Sequence, residues 1–459
     1  MQARRSRRFA VATAALAVVV SAVAVMLGLT GSDRPAASRT PVDPGPLVVP
    51  AVLAAAGTGV PPGTAGLRRA LAAALRDPAL GRGAAALVVD GISGRPLLST
   101  GAPAAVPPAS TAKILTAVAA LERLGPRTRL ETRVVAGLRP DSVVLVGGGD
   151  STLAGPRAAP AYPLAARLTD LATASARELA AAGVRRVRLT VDASLFTGPA
   201  LGPAWSPGYV TAGDVAPVSA LEVDGGRVRP DGRQRSPDPA IAAGQLFSRL
   251  LGRVGVTVAG PVTVARAPSG AVTLAVVRSA PVASLVERML TDSDNDLAEA
   301  LARLVGLRSG LPGTFAGGAA GVSRAVTALG ADPSDLRLYD GSGLSKANRL
   351  QPRVLTGLLA LASSPAHPEL RPLLTGLPVA GLTGTLVDRY VLPPVTGAAG
   401  LVRAKTGTLT GVSTLAGVTL DADGDLLAFA LVAPAARDRR SAERALDRLA
   451  AVLAGCGCR

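Results

Sequence analysis

Residues 107–124 read Pro-Pro-Ala-Ser-Thr-Ala-Lys-Ile-Leu-Thr-Ala-Val-Ala-Ala-Leu-Glu-Arg-Leu. Its apolar residues recur at helical spacing, which predicts a helix from Ser110 to about Leu124. Ser110 and Thr111 at its start can accept hydrogen bonds from the first free backbone N–H groups. Ser110 and Lys113 are one helical turn apart, so their side chains share a face. The stretch therefore predicts a helix that begins with a hydroxyl beside an amine.

A hydroxyl paired with an amine is typical of nucleophilic catalysis. A serine hydroxyl is a poor nucleophile until a neighbouring base takes its proton. Lys113 can serve as that base near neutral pH if burial and nearby positive charge lower its pKa. The helix N-terminus adds partial positive charge near the attacked carbonyl. Because Ser-x-x-Lys occurs in many helices, further residues are needed to support an active site.

Lysine and asparagine are almost absent from the chain. Of the 49 Lys and Arg residues only three are lysine, at positions 113, 346 and 405, and asparagine occurs only at positions 295 and 348. Arginine keeps its proton at working pH and cannot replace lysine as a base. We therefore expect each rare lysine or asparagine to lie at a position where a common residue such as arginine could not replace it. For Lys346 the sequence predicts only a structural role or a contact at the rim of the site.

Asn295 belongs to the segment Ser293-Asp294-Asn295, at the start of a helical stretch. The segment offers a hydroxyl and an amide to a neighbouring site. The alternative is that it serves only as a helix N-cap, which has the same composition.

Lys405 belongs to the segment Lys405-Thr406-Gly407-Thr408, on a strand predicted over residues 401–408. A glycine in a strand lets another backbone, here that of a substrate, approach closely. Lys405 and Thr406 could bind a carboxylate by charge and hydrogen bonding. The alternative is a partly exposed strand with one surface lysine.

The three motifs Ser-x-x-Lys, Ser-x-Asn and Lys-Thr-Gly occur in the order found in β-lactamases and penicillin-binding proteins. From about Ala84 to the last predicted strand, the sequence resembles the class C low-molecular-mass penicillin-binding proteins, the D-alanyl-D-alanine carboxypeptidase/endopeptidase family. Further segments that resemble this family are Gly147–Leu153 (with Ser151 where proline is common), Asp340–Ser345 followed by Asn348 and Arg349, and Gly381–Leu386 with Arg389. The 183-residue gap from Ser110 to Ser293 separates this family from β-lactamases and simpler carboxypeptidases, whose gap is shorter.

The resemblance implies an α+β fold, a β-lactamase/transpeptidase-like domain with an inserted β-rich domain. In that domain an antiparallel five-stranded sheet is flanked by helices and joined by an α-helical subdomain. The implied division is a signal anchor or signal peptide (1–31), a Pro/Gly/Ala-rich linker (32–66), a penicillin-binding domain (67–149 and 281–455) and an insertion (150–280). Local patterns predict hairpins at 84–98 and 133–146, strands at 401–408, 413–419 and 426–432, and a helix at 441–453. From about 150 to 280 they predict short strands that alternate with turn-rich loops.

The resemblance also implies a reaction: Ser110 attacks the penultimate D-Ala carbonyl of a peptidoglycan stem peptide, D-Ala leaves, and water hydrolyses the acyl-enzyme. The same serine would bind β-lactam antibiotics. The implied catalytic residues are Ser110, Lys113, Ser293, Asn295 and Lys405, and the implied substrate-binding residues are Thr406, Gly407 and Thr408. The backbone N–H groups of Ser110 and Thr408 would form the oxyanion hole. No cofactor and no metal are implied.

The N-terminus predicts export. Four arginines between positions 4 and 8 precede an apolar run over residues 9–30. This run is closer to the ~20 residues that span a bilayer than to the shorter core of a cleaved signal. A single-pass anchor is therefore favoured over a cleaved signal, and both place the body outside the cytoplasm, in the cell envelope.

The formal net charge of +17 does not indicate a nucleic-acid partner. The arginines are scattered, and aromatic residues, which stack on bases, make up only 2% of the chain. A basic exported protein is instead drawn to anionic lipid head groups or cell-wall polymers. The two cysteines, Cys456 and Cys458, could form a tight disulfide or ligate a metal, but a frayed tail is the favoured interpretation.

Three alternatives remain. A Ser-His-Asp hydrolase would need His367, which lies in a loop between two prolines with no nucleophile elbow in the chain. A β-lactamase or esterase of the same fold would turn over penicillin quickly, whereas a carboxypeptidase stays labelled at Ser110. A catalytically silent cell-wall scaffold would not need intact motifs. The preference for carboxypeptidase or endopeptidase action cannot be derived from the sequence.

Overall fold

The computed structural model describes residues 62–101 and 105–458 of the chain. The predicted anchor and residues 32–61 of the predicted linker lie outside the described residues. Within the described ranges, no helix combines the length and apolar character needed to cross a membrane.

The first sheet contains the strands predicted at both ends of the chain. It has five antiparallel strands in the order β11-β12-β13-β1-β2. Their bounds are β1 Ala85–Asp90, β2 Pro96–Thr100, β11 Arg403–Leu409, β12 Val412–Leu420 and β13 Leu426–Ala433. Eight of the nine residues of β12 are buried, because helices cover both faces of the sheet. The predicted five-stranded antiparallel sheet is confirmed, and β11 is its edge strand.

Helices pack on both faces of this sheet. One face is covered by α1 (Thr64–Leu75) and α11 (Arg439–Ala454), whose leucines share a core with the sheet. The other face is covered by α2 and a helical group that forms the largest core of the molecule. The bounds of this group are α2 Lys113–Leu124, α6 Val282–Thr291, α7 Asn295–Arg308, α8 Phe315–Ala328 and α9 Pro352–Ser363. The first helix begins at Thr64, two residues before the predicted end of the linker at residue 66.

The second sheet lies between α2 and α6 in the sequence. Its main strands are β3 Arg129–Ala136, β4 Ser142–Val146, β5 Arg186–Asp192 and β8 Thr273–Pro281, with two-residue strands β6 Thr257–Val258 and β7 Thr263–Val264. Its order is β6-β5-β4-β3-β8, and β4 and β5 are parallel. Since β3 and β4 pair with β5 and β8, the sheet includes residues on both sides of position 150.

Two helices, α3 (Leu168–Ala181) and α5 (Pro239–Arg253), share a core with this second sheet. The prediction of short strands and turn-rich loops here was incomplete, because these helices were not predicted. The buried positions of α3 follow a helical period, and they are Leu168, Leu171, Ala172, Ser175, Ala176 and Leu179. The remaining short elements are α4 Gly208–Thr211, β9 Leu336–Arg337, β10 Arg349–Leu350 and α10 Arg371–Thr375.

The C-terminal cysteines form a disulfide with each other, so the expectation of a frayed tail was wrong. Cys456 is buried in the core beneath α1 and α11. The backbone N–H of Gly63 donates to the carbonyl of Cys458, which fastens the tail to the start of α1. In the described part of the chain, no group of three or more His, Cys, Asp or Glu residues could hold a metal ion.

Candidate active site

Ser110 lies in a 3-10 turn, Ala109–Ala112, that leads directly into α2. Neither Ser110 nor Thr111 caps the helix, contrary to the sequence-based expectation. The Thr111 hydroxyl instead donates to the carbonyl of Pro108 at 2.7 Å, and Thr414 of β12 donates to the same carbonyl at 3.0 Å. Two side chains thus fix the backbone just before the nucleophile.

The residue before Ser110 has an uncommon backbone conformation. Ala109 is fully buried and has a φ of 50°, in the left-handed region that costs a non-glycine residue energy. Its surroundings leave no room for larger neighbours, since a Cβ on Gly343 would lie 1.9 Å from the Ala109 carbonyl oxygen. The strained turn is therefore held in place by packing from a distant loop.

The amine of Lys113 is buried and fully hydrogen-bonded. Its Nζ donates to Ser110 Oγ at 3.1 Å, to Asn295 Oδ1 at 2.6 Å and to the carbonyl of Ser342 at 2.8 Å. An ammonium has three donors, so these contacts use its whole capacity. Residues from three separate stretches of sequence meet at this single nitrogen.

Burial lowers the pKa of Lys113 from 10.5 to about 8. The neighbouring carboxylates oppose this shift, with Glu299 and then Asp340 contributing most. The expected help from nearby positive charge is not what acts on this lysine. A pKa near 8 leaves part of the amine unprotonated near neutral pH, as a general base requires.

Asn295 is the first residue of α7, and Asp294, not Ser293, caps that helix through a bond from the Leu297 N–H. The Asn295 side chain points away from the cap: Oδ1 accepts from Lys113, and Nδ2 donates to the carbonyl of Asp214 at 2.9 Å. Ser293 is partly buried and has a φ of 56° in the link between α6 and α7. The capping alternative thus applies to Asp294, while Asn295 binds the amine of Lys113.

The Lys-Thr-Gly segment lies on the edge strand β11. Lys405 is fully buried, and its Nζ donates to the carbonyl of Thr406 at 2.9 Å. Burial lowers the pKa of Lys405 well below its usual value, and the positive charges of Lys113 and Arg389 lower it further. Lys405 is thus not the surface lysine of the alternative interpretation, and it lies within electrostatic range of Lys113.

The hydroxyl groups of the two threonines on this strand already have hydrogen-bond partners. Thr406 Oγ1 lies 2.9 Å from Thr385 Oγ1. Thr408 Oγ1 donates to Glu443 Oε1 at 3.2 Å. A bound carboxylate would have to compete with Glu443 for the Thr408 hydroxyl proton.

Gly407 is needed for packing inside the protein. A Cβ at this position would lie 2.1 Å from Thr414 Oγ1 and 2.8 Å from the Pro108 carbonyl oxygen. The close contact between β11 and the turn that carries Ser110 is therefore one reason for this glycine. The approach of a substrate backbone stays a prediction.

A cleft of about 540 Å³ opens beside the nucleophile. Ser110, Asn295 and Thr408 line it, so the three motifs contribute to one cavity. Tyr209 and Asp214 come from the loop after β5, and Arg437 and Arg439 come from the start of α11. The cleft is therefore lined by residues from the connection after β5 of the second sheet and by residues at the start of α11, which packs on the first sheet.

Two buried carboxylates, Glu299 and Asp340, lie beneath the site, and neither was predicted from the sequence as part of it. Glu299, one turn after Asn295 on α7, accepts from the backbone N–H groups of Gly341 and Ser342, and burial raises its pKa to about 7. Asp340 accepts from Trp205 Nε1 at 2.8 Å and from Asn348 Nδ2 at 2.7 Å. The i, i+4 spacing of Asn295 and Glu299 was visible in the sequence, but their partners were not.

Of the other residues singled out from the sequence, Lys346 and His367 lie apart from this network, whereas Asn348 joins it through Asp340. Lys346 is exposed. The second rare asparagine, Asn348, is buried and orders the loop through Asp340 and the Tyr339 N–H. His367 contacts Glu369 in the link between α9 and α10, which gives the Ser-His-Asp alternative no support.

Comparisons with known proteins agree with these features. The model of the D-Ala-D-Ala carboxypeptidase 3 (S13) family matches residues 67–234 and 232–453. Carboxypeptidase DacB of Mycolicibacterium smegmatis is 40% identical over 465 residues, which cover 99% of this chain and 98% of the relative. The D-alanyl-D-alanine carboxypeptidase of Actinomadura sp. is 32% identical over 80% of each chain.

A solved structure shows the same fold. The crystal structure of penicillin binding protein 4 from Haemophilus influenzae superposes with a TM-score of 0.67 at 22% identity. The match covers 84% of this chain and 97% of that one. The residues that the family model matches include all three motifs, and the chain therefore belongs to the D-Ala-D-Ala carboxypeptidase 3 (S13) family.

Proposed function

We propose that this protein is a serine D-alanyl-D-alanine carboxypeptidase that acts on peptidoglycan stem peptides through an acyl-enzyme at Ser110. One observation carries the proposal: the buried amine of Lys113, with a pKa of about 8, donates a hydrogen bond to Ser110 Oγ at 3.1 Å. Two relatives support the substrate class by their names. Carboxypeptidase DacB matches 99% of this chain, and the D-alanyl-D-alanine carboxypeptidase of Actinomadura sp. matches 80% of it.

In the first step, neutral Lys113 takes the hydroxyl proton of Ser110 while Oγ bonds to the carbonyl carbon of the penultimate D-Ala. The oxygen of that carbonyl gains the negative charge, which the backbone N–H groups of Ser110 and Thr408 stabilise. Asn295 holds the substrate amide with the one Nδ2 hydrogen that Asp214 does not use.

In the second step, the tetrahedral intermediate collapses and the bond to the terminal D-Ala breaks. The leaving nitrogen needs a proton, which passes from Lys113 through Ser293 and Lys405. The strongly lowered pKa of Lys405 supports this relay, because a neutral amine both accepts and donates a proton. Water then attacks the ester, its proton returns through Lys113, and Ser110 is released.

Thr406 and Thr408 bind the terminal carboxylate beside Gly407. The Thr406 hydroxyl is better placed for this, since its partner Thr385 can exchange donor and acceptor roles. Thr408 must break its bond to Glu443 before its hydroxyl can donate to a substrate carboxylate.

The nucleophile is tested by labelling the full chain with a fluorescent penicillin. We expect wild-type protein to be labelled at Ser110 persistently and Ser110→Ala to remain unlabelled. Labelling of folded Ser110→Ala would reject the acyl-enzyme, and rapid turnover of penicillin would favour a β-lactamase.

The bond that is cleaved is tested with defined muropeptides. Release of free D-Ala from monomeric pentapeptides, detected by mass spectrometry, identifies carboxypeptidase action. Conversion of cross-linked dimers to monomers identifies endopeptidase action, which the same Ser110 chemistry allows.

The substrate places the protein in the cell envelope, and we propose that residues 9–30 anchor it to the membrane. The support is the length of this apolar run and the arginines before it. Fractionation of cells that express the full chain should find it with membranes, and replacement of residues 9–30 by a cleavable signal should release it. If the protein with its native residues 9–30 is instead recovered in the soluble envelope fraction, this segment is cleaved and the anchor is rejected.

The domain division also remains a proposal. The linker covers residues 32–66, and the penicillin-binding domain is formed by 67–149 and 281–455 around an insertion at 150–280. The pairing of β3 and β4 with β5 and β8 supports extending the insertion to include residues 129–149.

A further inference from the structure

Asn295 and the residue after it both bind one short backbone segment, residues 213–216, in the loop between β5 and α5. Asn295 Nδ2 donates to the carbonyl of Asp214 at 2.9 Å, and the N–H of Ala216 donates to Asp296 Oδ1 at 2.7 Å. A side-chain amide has one accepting end and one donating end. Because Nδ2 is held by a carbonyl, Oδ1 must face Lys113.

Arg235 binds the same segment from its other side. Its Nε and Nη2 both donate to the carbonyl of Gly213, at 3.2 Å and 3.1 Å. Its Nη1 donates to the carbonyl of Gly225 and forms an ion pair with Asp296 Oδ2 at 2.9 Å. One guanidinium thus ties two points of the loop to the start of α7.

This ion pair is buried, with side-chain exposures of 2% for Arg235 and 4% for Asp296. Removing two charges from water is costly, so a buried pair is weak evidence for added stability. The planar fork of arginine can serve several oxygens at fixed angles, which an ammonium cannot. The contacts explain the pair better as a device for fixing geometry.

The charge of Arg235 is also needed locally. Glu222 is buried nearby, and one of its carboxylate oxygens has no hydrogen-bond partner. Asp294 and Asp296 both act electrostatically on Glu222, and Arg235 and Arg227 oppose them. Without Arg235, this acidic group would lose its main positive neighbour beside the segment that holds Asn295.

We propose that Arg235 is a positioning residue for catalysis: it holds residues 213–216 against α7, so that the amide of Asn295 keeps its oxygen on the amine of Lys113. Arg235 acts through Asn295 and does not touch the nucleophile. The inference rests on the proposed function, because it takes Lys113 as the base for Ser110.

The test compares Arg235→Met with the wild type in the full chain. The rate of Ser110 acylation by a fluorescent penicillin is measured over a pH series that brackets the pKa of Lys113. We expect acylation to be about ten- to hundredfold slower at its plateau, the loss typical of a displaced reacting group. The pH midpoint should move from the wild-type value, because the amide oxygen that stabilises the charged amine is no longer held in place and because Asp296, which raises the pKa of Lys113, loses its cation.

Arg448→Met is the control. Arg448 on α11 also forms a partly buried ion pair, with Asp77, but this pair involves neither α7 nor residues 213–216. We expect it to lower the melting temperature while the pH midpoint of the folded protein stays at the wild-type value. Equal rates and midpoints in the two variants would reduce Arg235 to a structural role.

Arg235→Lys serves if the methionine variant does not fold. It keeps a positive charge beside Asp296, but one ammonium cannot reach Gly213, Gly225 and Asp296 together. Because the positive charge is kept, the midpoint should fall through the released amide alone, and an unchanged midpoint would overturn the proposal. Persistent labelling of wild-type Ser110 would leave the proposed function intact in that case.

Discussion

The cleft has two walls, a helical wall with Ser110 and Asn295 and a strand wall with Thr408 and Leu409. One buried lysine lies behind each wall. On the helical wall, Lys113 contacts a hydroxyl, an amide oxygen and a carbonyl, with the carboxylates of Glu299 and Asp340 nearby. On the strand wall, Lys405 donates to a backbone carbonyl, and Lys113 and Arg389 are its charged neighbours. Both side chains have no exposed surface, so they differ in their neighbours and not in their burial.

The comparison shows how neighbouring charge divides two roles between identical residues. Burial lowers the pKa of both lysines, but carboxylates keep Lys113 at about 8, whereas positive neighbours push Lys405 well below its usual value. Lys113 is therefore suited to take a proton near neutral pH. Lys405 is suited to pass a proton on, and a neutral amine is less suited to attract a carboxylate by charge.

The largest effect is expected from Lys113→Met, which removes the base and keeps the bulk. We expect acylation of Ser110 by a fluorescent penicillin to fall about 10²–10⁴-fold, the usual contribution of a general base. Lys346→Met, at an exposed lysine, is the control and should acylate at the wild-type rate. A loss of less than tenfold in folded Lys113→Met would assign the base to the other wall.

Gly407→Ala tests the contact between the walls. The new methyl group would lie 2.1 Å from Thr414 Oγ1 and 2.8 Å from the Pro108 carbonyl oxygen. We expect a loss of about 1–3 kcal/mol in unfolding free energy, as for other overpacked sites, and slower acylation because the Ser110 turn moves. Denaturant unfolding and labelling rates measure the two effects.

Gly357→Ala on α9 is the control for this substitution, because a Cβ there meets no atom within 4 Å. It should stabilise the helix by about 0.5–1 kcal/mol. If Gly407→Ala is equally harmless, the walls are not in the close contact described.

Glu299→Gln alters the charge around Lys113. For the wild type, acylation should rise with pH through about 8, as the neutral fraction of Lys113 grows. The negative charge of Glu299 raises the pKa of Lys113, so its removal should move this rise to lower pH. The pH dependence of labelling measures the shift, with exposed Glu122→Gln on α2 as control. An unmoved or raised midpoint would contradict the electrostatic account.

The smallest effect is expected from Thr385→Val, which removes the hydroxyl partner of Thr406 on the strand wall. One exposed hydrogen bond contributes about 0.5–1.5 kcal/mol, so KM for a D-Ala-D-Ala peptide should rise severalfold with kcat unchanged. Thr396→Val, at an exposed position, is the control. A fall in kcat alone would place Thr385 in the chemical step instead.

The strands of the first sheet could be predicted because their pattern is local. An apolar run such as Leu426–Ala433 predicts a strand, and a polar segment such as Asp421–Asp425 predicts a turn, from fewer than a dozen neighbouring residues. The helix α3 also has a readable period, but the prediction favoured turn-rich loops there, and that choice was wrong.

The residues that hold the site in shape could not be predicted in the same way. Arg235 and Asp296 are 61 positions apart, and Glu299 bonds to Gly341 and Ser342 across more than 40. No periodicity links such pairs, since only the tertiary fold brings them together. The chemistry-bearing residues stood out because their types are rare in this chain, whereas Arg235 is one arginine among 46.

The packing of Ala109 against Gly343 and Gly407 has a consequence for biogenesis. These three residues are separated by more than 200 and then by more than 60 positions. Contacts at such separations close late, because loop entropy opposes them. We therefore expect the turn that carries Ser110 to be complete only when the last third of the chain has docked, and a partly folded molecule not to react with penicillin. Reactivity with penicillin should therefore report completion of folding, and the rate at which labelling appears during refolding would measure its final step.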